Sequence, residues 1–284
     1  MMQKELVARP WADYELLDSG ENMKLERFGE VVLSRPETQA LWPKKNPALW
    51  DKADAEFTWG EKGKWKTRRP VPRPWKMEWN GARFFAKLTN FKHVGVFPEQ
   101  EPNWEWLRAR SAALAAPAVL NLFGYTGIAS IVVAKAGAKV THVDGSKQTI
   151  AWAKENSDAN EYESGGVRYI WDDAMKFAKR EEKRGNAYDG IIVDPPAFGR
   201  GAKGEVWKIE RDLPELLRVS AALLSKKPGS FFLLNGYAAG YSSRAFSEAV
   251  EAAFGEKGEY GELLIAERAG DRAVPSGIYG RFVR

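Results

Sequence analysis

The chain of 284 residues contains no cysteine and only two histidines, His93 and His142. The first absence removes disulfides, thiolate nucleophiles and cysteine-ligated zinc or iron–sulfur centres, and it fits a reducing compartment. The second leaves little material for a multi-histidine metal site, and a Ser-His-Asp triad would have to use one of the two. Both histidines are expected to serve packing or strand surfaces rather than catalysis. Long apolar runs are also missing. No stretch approaches the roughly 18 consecutive apolar residues of a membrane span, and the opening MMQKELVARPWADYEL has no secretory h-region. The expectation is a soluble, cytoplasmic protein with no metal and no membrane partner.

What is present is unevenly spread. The net charge of +5 is mild, but from Lys62 to Lys76 there are seven basic residues and no acidic one. Tryptophan is skewed too: nine of the twelve precede residue 110 (Trp11, Trp42, Trp50, Trp59, Trp65, Trp75, Trp79, Trp104 and Trp106). Residues 14–35 read as short β-like runs separated by Ser-Gly and Phe-Gly turns, and Trp75–Trp79 and Gly81–Thr89 as further strands. Between them Pro36, Pro43, Pro47, Pro70, Pro72 and Pro74 break regular structure, giving a small β-rich domain with long loops.

From about residue 103 helical stretches alternate with apolar strands, the signature of a doubly wound parallel sheet. Seven strands are predicted: Ala118–Phe123, Lys139–Asp144, Val167–Trp171, Tyr188–Asp194, Ser230–Tyr237, Gly261–Ala269 and Ile278–Arg284. Helices include Ser146–Ser157 and Lys208–Ser225. The sixth and seventh strands are separated only by Gly270–Gly277, too short for a helical crossover, so they should pair as an antiparallel hairpin.

In such a sheet ligands bind beyond the carboxyl ends of the strands. The first strand ends in Asn121-Leu122-Phe123-Gly124-Tyr125-Thr126-Gly127, a turn whose glycines would let backbone approach a ligand. It is not a Gly-x-Gly-x-x-Gly dinucleotide cradle. The second ends in Asp144-Gly145-Ser146, where a carboxylate can accept from both hydroxyls of a ribose or else cap the following helix. The third ends in Asp172-Asp173. By register Asp173 suits an adenine amino group, and Asp172 a helix cap. The fourth delivers Asp194 to Pro195, Pro196, Ala197 and Phe198. Two prolines fix the backbone there, so a carboxylate or carbonyl can be held against a planar nitrogen heterocycle with an aromatic ring nearby.

NLFGYTG, VDGS, WDDA and DPPAF, with the closing GDRAVPSGIYGRFVR, resemble the class I S-adenosylmethionine-dependent methyltransferases of the large-subunit ribosomal RNA methyltransferase family, over residues 94–284. The resemblance implies S-adenosyl-L-methionine bound along Asn121, Phe123, Gly124, Tyr125, Thr126 and Gly127. It places the ribose at Asp144, Gly145 and Ser146 and the adenine near Asp172 and Asp173. Phe97-Pro98-Glu99-Gln100 is similar to the segment that closes over the cofactor, which adds Gln100. Asp194, Pro195, Pro196 and Phe198 would face the methyl acceptor. Two departures bear on that acceptor. Members that methylate C5 of cytosine use a cysteine nucleophile, absent here. Amino-group methyltransferases usually place an aromatic directly after Pro-Pro, whereas Ala197 intervenes here, which favours a ring nitrogen over an exocyclic amine.

The expected organisation is therefore a small β-rich, Trp-rich and basic domain over residues 1–94 and a methyltransferase domain over 95–284. Lys62, Lys64, Lys66, Arg68, Arg69, Arg73 and Lys76, interleaved with Trp65 and Trp75, suit phosphate contacts and stacking surfaces for unpaired RNA bases, ribosomal RNA being favoured. A solvated loop beside core tryptophans is the plainer alternative. A protein or small-molecule acceptor, or a non-catalytic binding module of the same fold, are the alternatives at the level of function.

Overall fold

The computed structural model describes residues 2–59, 63–162, 166–201, 204–237 and 240–284. Lys62 of the basic run lies outside the described residues. The chain forms two compact units. One comprises Met1–Leu6, Pro102–Leu263 and Gly277–Arg284, the other Val7–Glu101 and Leu264–Ser276.

The larger unit is built on the strands β1 (Ala118–Leu122), β2 (Lys139–Asp144), β3 (Gly166–Trp171), β4 (Gly190–Val193), β5 (Phe231–Gly236), β6 (Glu259–Ala266) and β7 (Ala273–Val283). Their order is 6-7-5-4-1-2-3, with the short N-terminal strand Met2–Gln3 parallel beside β6. Strands β3, β2, β1, β4 and β5 are mutually parallel and β7 runs antiparallel to β5. The sheet neighbours β6 and β7 are joined by residues 267–272 alone, a link that only a hairpin can make. The seven predicted strands are all present, and the N-terminal residues add edge pairing that their short polar sequence does not announce.

The sheet is doubly wound because its central strands are apolar on both faces. Leu120, Leu122, Ile191, Val193, Phe232 and Leu234 enter one core with helices α3 (Ala174–Lys183), α4 (Ile209–Leu223) and α5 (Ser243–Phe254). The alternate residues Val119, Ile192, Phe231 and Leu233 enter the other, with Val133 and Ala134 of α1 (Ile128–Lys135). Helix α2 (Lys147–Asp158) starts at Ser146, whose hydroxyl accepts from Thr149 N. Strand order reverses between β1 and β4, and that switch point opens the crevice in which the fold places its ligands.

In the smaller unit, strands Tyr14–Gly20, Met23–Phe28, Val31–Pro36, Ala55–Thr58 and Lys64–Thr67 make a five-stranded sheet in chain order. A separate hairpin pairs Trp75–Trp79 with Ala82–Ala86. The expected long loops between Pro36 and Trp75 are corrected here. A 3-10 turn (Pro47–Lys52) and two strands occupy that stretch, with Phe57 paired opposite Trp65. At the centre of the unit Glu26 is fully buried, accepting from Tyr14 Oη and Arg35 Nε at 2.8 Å each. Burial alone would raise its pKa, but Arg35 and then Lys24 hold the carboxyl below the usual carboxylate range.

Candidate active site

The turn after β1 is tied down from several sides. Gly124 N donates to Val143 O at 3.1 Å, Tyr125 N to Asp144 Oδ2 at 2.9 Å, and Asn156 Nδ2 of α2 to Thr126 O at 2.8 Å. Phe123 and Tyr125 take positive φ values of 58° and 52°. Such backbone costs about 1–3 kcal/mol for a bulky residue and persists only where the surroundings impose it. Gly124 also has a reason within the protein itself to be glycine. A Cβ there would lie 2.3 Å from Cε1 of the buried His142 ring. The missing Cβ makes room for the protein's own side chain.

Asp144 lies at the end of β2, half-buried. Its Oδ1 accepts from Ser146 N at 2.8 Å and Thr149 Oγ1 at 2.7 Å, while Oδ2 takes the single bond from Tyr125 N. A carboxylate has about four acceptor positions, so Oδ2 retains capacity for a hydroxyl. The helix-capping alternative falls to Ser146. Gly145 O accepts from Trp171 Nε1 at 3.0 Å, which sets a half-exposed indole beside this carboxylate.

The helix cap expected of Asp172 falls to Asp173 instead. Asp173 caps α3, its Oδ1 accepting from Lys176 N at 2.8 Å, whereas Asp172 is ion-paired with Arg180. The next helix begins at Ala174, so its N-cap position falls on the second aspartate. Burial raises the Asp173 pKa, opposed by the Lys176 backbone N–H, with Glu205 adding like-charge repulsion.

After β4, Asp194 N donates to Leu122 O at 3.3 Å, which sets the Asp-Pro-Pro elbow directly beside the turn of β1. Pro195 is buried and Pro196, Ala197 and Phe198 are exposed, the last at 55%. Phe198 starts a hairpin (Phe198–Arg200 with Val206–Lys208) that precedes α4. From that hairpin Trp207, 5% exposed, donates from Nε1 to Pro196 O at 2.7 Å and packs its ring 4.9 Å from that of Phe123. Trp207 thus joins the two strand ends. Neither its spacing nor its composition marks it in the sequence.

Asn121, Phe123, Gly124, Tyr125, Thr126, Gly127, Asp144, Gly145, Ser146, Asp172, Asp173, Asp194, Pro195, Pro196 and Phe198 all lie at adjacent carboxyl ends in the larger unit. Gln100 belongs to the smaller unit, buried at the end of the 3-10 turn Pro98–Gln100. Of the predicted nucleic-acid contacts, Arg68 pairs with Glu56 at 3.0 Å and Arg69 with Asp54 at 3.2 Å. Lys64, Lys66 and Arg73 are exposed. Trp75 is buried, so it is no stacking surface. The exposed aromatics near the basic strand are Trp59 at 68% and Phe91 at 70%.

A glycine-containing turn after β1, an acid closing β2 and the order 6-7-5-4-1-2-3 with one reversed strand define a class I S-adenosylmethionine-dependent methyltransferase fold. The chain belongs to the S-adenosylmethionine-dependent methyltransferase family, whose model matches residues 56–257. A crystal structure of the SAM-dependent methyltransferase from Agrobacterium tumefaciens is similar over 99% of this chain and 95% of its own, at 40% identity and a TM-score of 0.93. The ribosomal RNA large subunit methyltransferase K/L of Alteromonas mediterranea is 32% identical over 217 residues, 76% of this chain and 29% of that protein. Its counterpart in Hahella chejuensis is 34% identical over 161 residues, 56% of this chain and 21% of that protein. The chain spans less than a third of the length of either of these relatives.

The site's chemistry fits the cofactor. The strained turn presents its backbone at the switch point, and Asp144 Oδ2 keeps acceptor capacity for a hydroxyl.

Proposed function

We propose that this protein is a cytoplasmic enzyme that methylates a base nitrogen of RNA, with ribosomal RNA the favoured substrate. The observation that carries the reading is the junction of the two strand ends at the switch point: Asp194 N on Leu122 O, and Trp207 between Pro196 and Phe123. S-adenosyl-L-methionine supplies an electrophilic methyl on a sulfonium. The residues of the turn from Asn121 to Gly127 would hold it, with Asp144, Gly145 and Ser146 at the ribose and Asp172 or Asp173 towards the adenine.

The elbow orients the acceptor. A neutral ring nitrogen already carries a lone pair, so holding it in line supplies much of the acceleration. Asp194 accepts a hydrogen bond or a proton from the acceptor base, Pro195 and Pro196 fix its backbone, and the exposed ring of Phe198 stacks on the base. With no cysteine in the chain, the covalent route to C5 of cytosine is closed. The names of the K/L relatives support ribosomal RNA, as does the basic strand Lys64–Thr67 with Trp59 and Phe91 exposed nearby. RNA from cells with and without the protein, incubated with labelled cofactor and mapped for the methyl, tests the assignment. Asp194→Ala is expected to lower turnover at least about a hundredfold. Label entering protein or metabolites instead of RNA, or an unimpaired Asp194→Ala enzyme, would overturn it.

A further inference from the structure

His142 sits two residues before Asp144 on β2 and is completely buried. Its ring lies beneath the turn after β1. A Cβ on Gly124 would come 2.3 Å from Cε1 and 2.4 Å from Nδ1, and one on Gly127 would come 3.6 Å from Cε1. Gly124 therefore rests on the imidazole, while Gly127 only touches it, the nearest neighbour of a Cβ there being Ala153 Cβ at 3.1 Å.

The ring is held by a chain of polar contacts. Asn121 Nδ2 donates to Ser130 Oγ at 2.8 Å, and Ser130 Oγ lies 2.9 Å from His142 Nδ1. A hydroxyl has one hydrogen and two acceptor positions, so Ser130 Oγ can serve Asn121 Nδ2 and His142 Nδ1 together. Nε2 is buried with no hydrogen-bond partner among the described residues. Burial drives the imidazole towards its neutral form, with the pKa lowered to about 3, and the Tyr125 backbone is the one group that pulls the other way. Tyr169 packs against the ring with centroids 5.0 Å apart, so no charged side chain competes for it.

We infer that His142 is a positioning residue for the cofactor: anchored through Ser130 and Asn121, its ring props the Phe123–Gly127 turn in its left-handed form. Tyr125 N then stays on Asp144 Oδ2, and the remaining acceptor capacity of that carboxylate stays directed at the ribose. A residue that merely filled space would not need the Asn121–Ser130 anchor. The inference rests on the assignment of this turn and Asp144 to the cofactor.

Equilibrium binding of S-adenosylhomocysteine to the full-length protein, read together with steady-state kinetics, tests it. His142→Val is expected to weaken binding about tenfold and to raise the KM for S-adenosylmethionine alike, while kcat at saturating cofactor changes far less. His142→Gln, a flat polar side chain of similar length that can keep a bond to Ser130 Oγ, is expected to bind within about threefold of the wild type, and Ser130→Ala to fall between. Amide exchange at residues 123–127 should quicken in His142→Val and Ser130→Ala. Wild-type binding by both His142→Val and Ser130→Ala, or binding by His142→Gln as weak as by His142→Val, would overturn the role. Where His142→Val does not fold, Ser130→Ala and His142→Gln decide. Asp144→Ala separates the two levels. Weak binding there with unaffected His142 variants rejects the positioning role alone, whereas unchanged binding in Asp144→Ala rejects the cofactor assignment beneath it.

Discussion

One indole couples the two halves of the proposed site. Trp207 meets the Asp-Pro-Pro elbow through its N–H on Pro196 O and the turn after β1 through its ring on Phe123. The two contacts are separable by substitution. Trp207→Phe keeps an aromatic ring against Phe123 but removes the donor, and a hydrogen bond of net worth about 1 kcal/mol corresponds to roughly fivefold. Turnover under single-turnover conditions should drop by that order while S-adenosylhomocysteine binding stays within about twofold. Trp207→Ala should impair both. A Trp207→Phe enzyme that turns over normally would show that Pro195 and Pro196 hold the elbow unaided. At this scale the sequence identifies the acids and the elbow, because strand ends are legible from apolar runs. It does not assign partners. Asp173 rather than Asp172 caps α3 because the helix begins one residue later than the motif suggests, and the role of Gly124 depends on His142, eighteen positions away and visible only once β1 and β2 are paired.

At the level of elements, the basic run divides by strand alternation. In Lys64–Thr67 the side chains of Lys64 and Lys66 point to one face and Trp65 to the other, where its ring packs 5.3 Å from buried Phe57. Lys64 and Lys66 stand in no ion pair among the described residues, whereas Arg68 and Arg69 are matched to Glu56 and Asp54. Their contributions to RNA binding should differ accordingly. Each phosphate contact to a single strand adds about 0.7 to the slope of log K against log salt. The Lys64→Ala, Lys66→Ala double variant is expected to lower that slope by about 1.4, and Arg68→Ala with Arg69→Ala by clearly less, measured with unstructured RNA over a salt series. Equal losses would mean that the arginines leave their carboxylates on binding, and no loss from the lysines would remove this strand from the RNA interface. The strand escaped sequence reasoning because it is four residues long with three of them exposed, so no apolar period announces it. The central parallel strands, buried on both faces, are readable to within a few residues for the converse reason.

For the whole molecule, the two histidines noted first for their scarcity set the response to acid. Burial is the leading cause that lowers each to about 3, His142 in the larger unit and His93 in the smaller, where Arg35 and Lys92 add to the effect. The unfolded chain takes up a proton on each near pH 6.5, whereas the folded chain does so only near 3. Between those values the unfolded state binds more protons, so stability falls with falling pH at about 1.4 kcal/mol per unit for each ring. The contribution is complete above about pH 6.5 and is being lost well before carboxylates such as Glu26, held below their ordinary range near 4, begin to matter. By pH 5 each ring has removed about 2 kcal/mol, a large part of the 5–15 kcal/mol that holds a typical domain together. Thermal unfolding followed at pH 7.5 and 5.0 should show a clear fall in Tm. His142→Val should lose the share belonging to the larger unit while keeping that of His93, so its Tm should vary less steeply with pH even though it starts lower. A Tm that is flat across this range would mean that the folded protein protonates these rings without resistance, and with it would go the neutral imidazole on which the support of the cofactor turn depends.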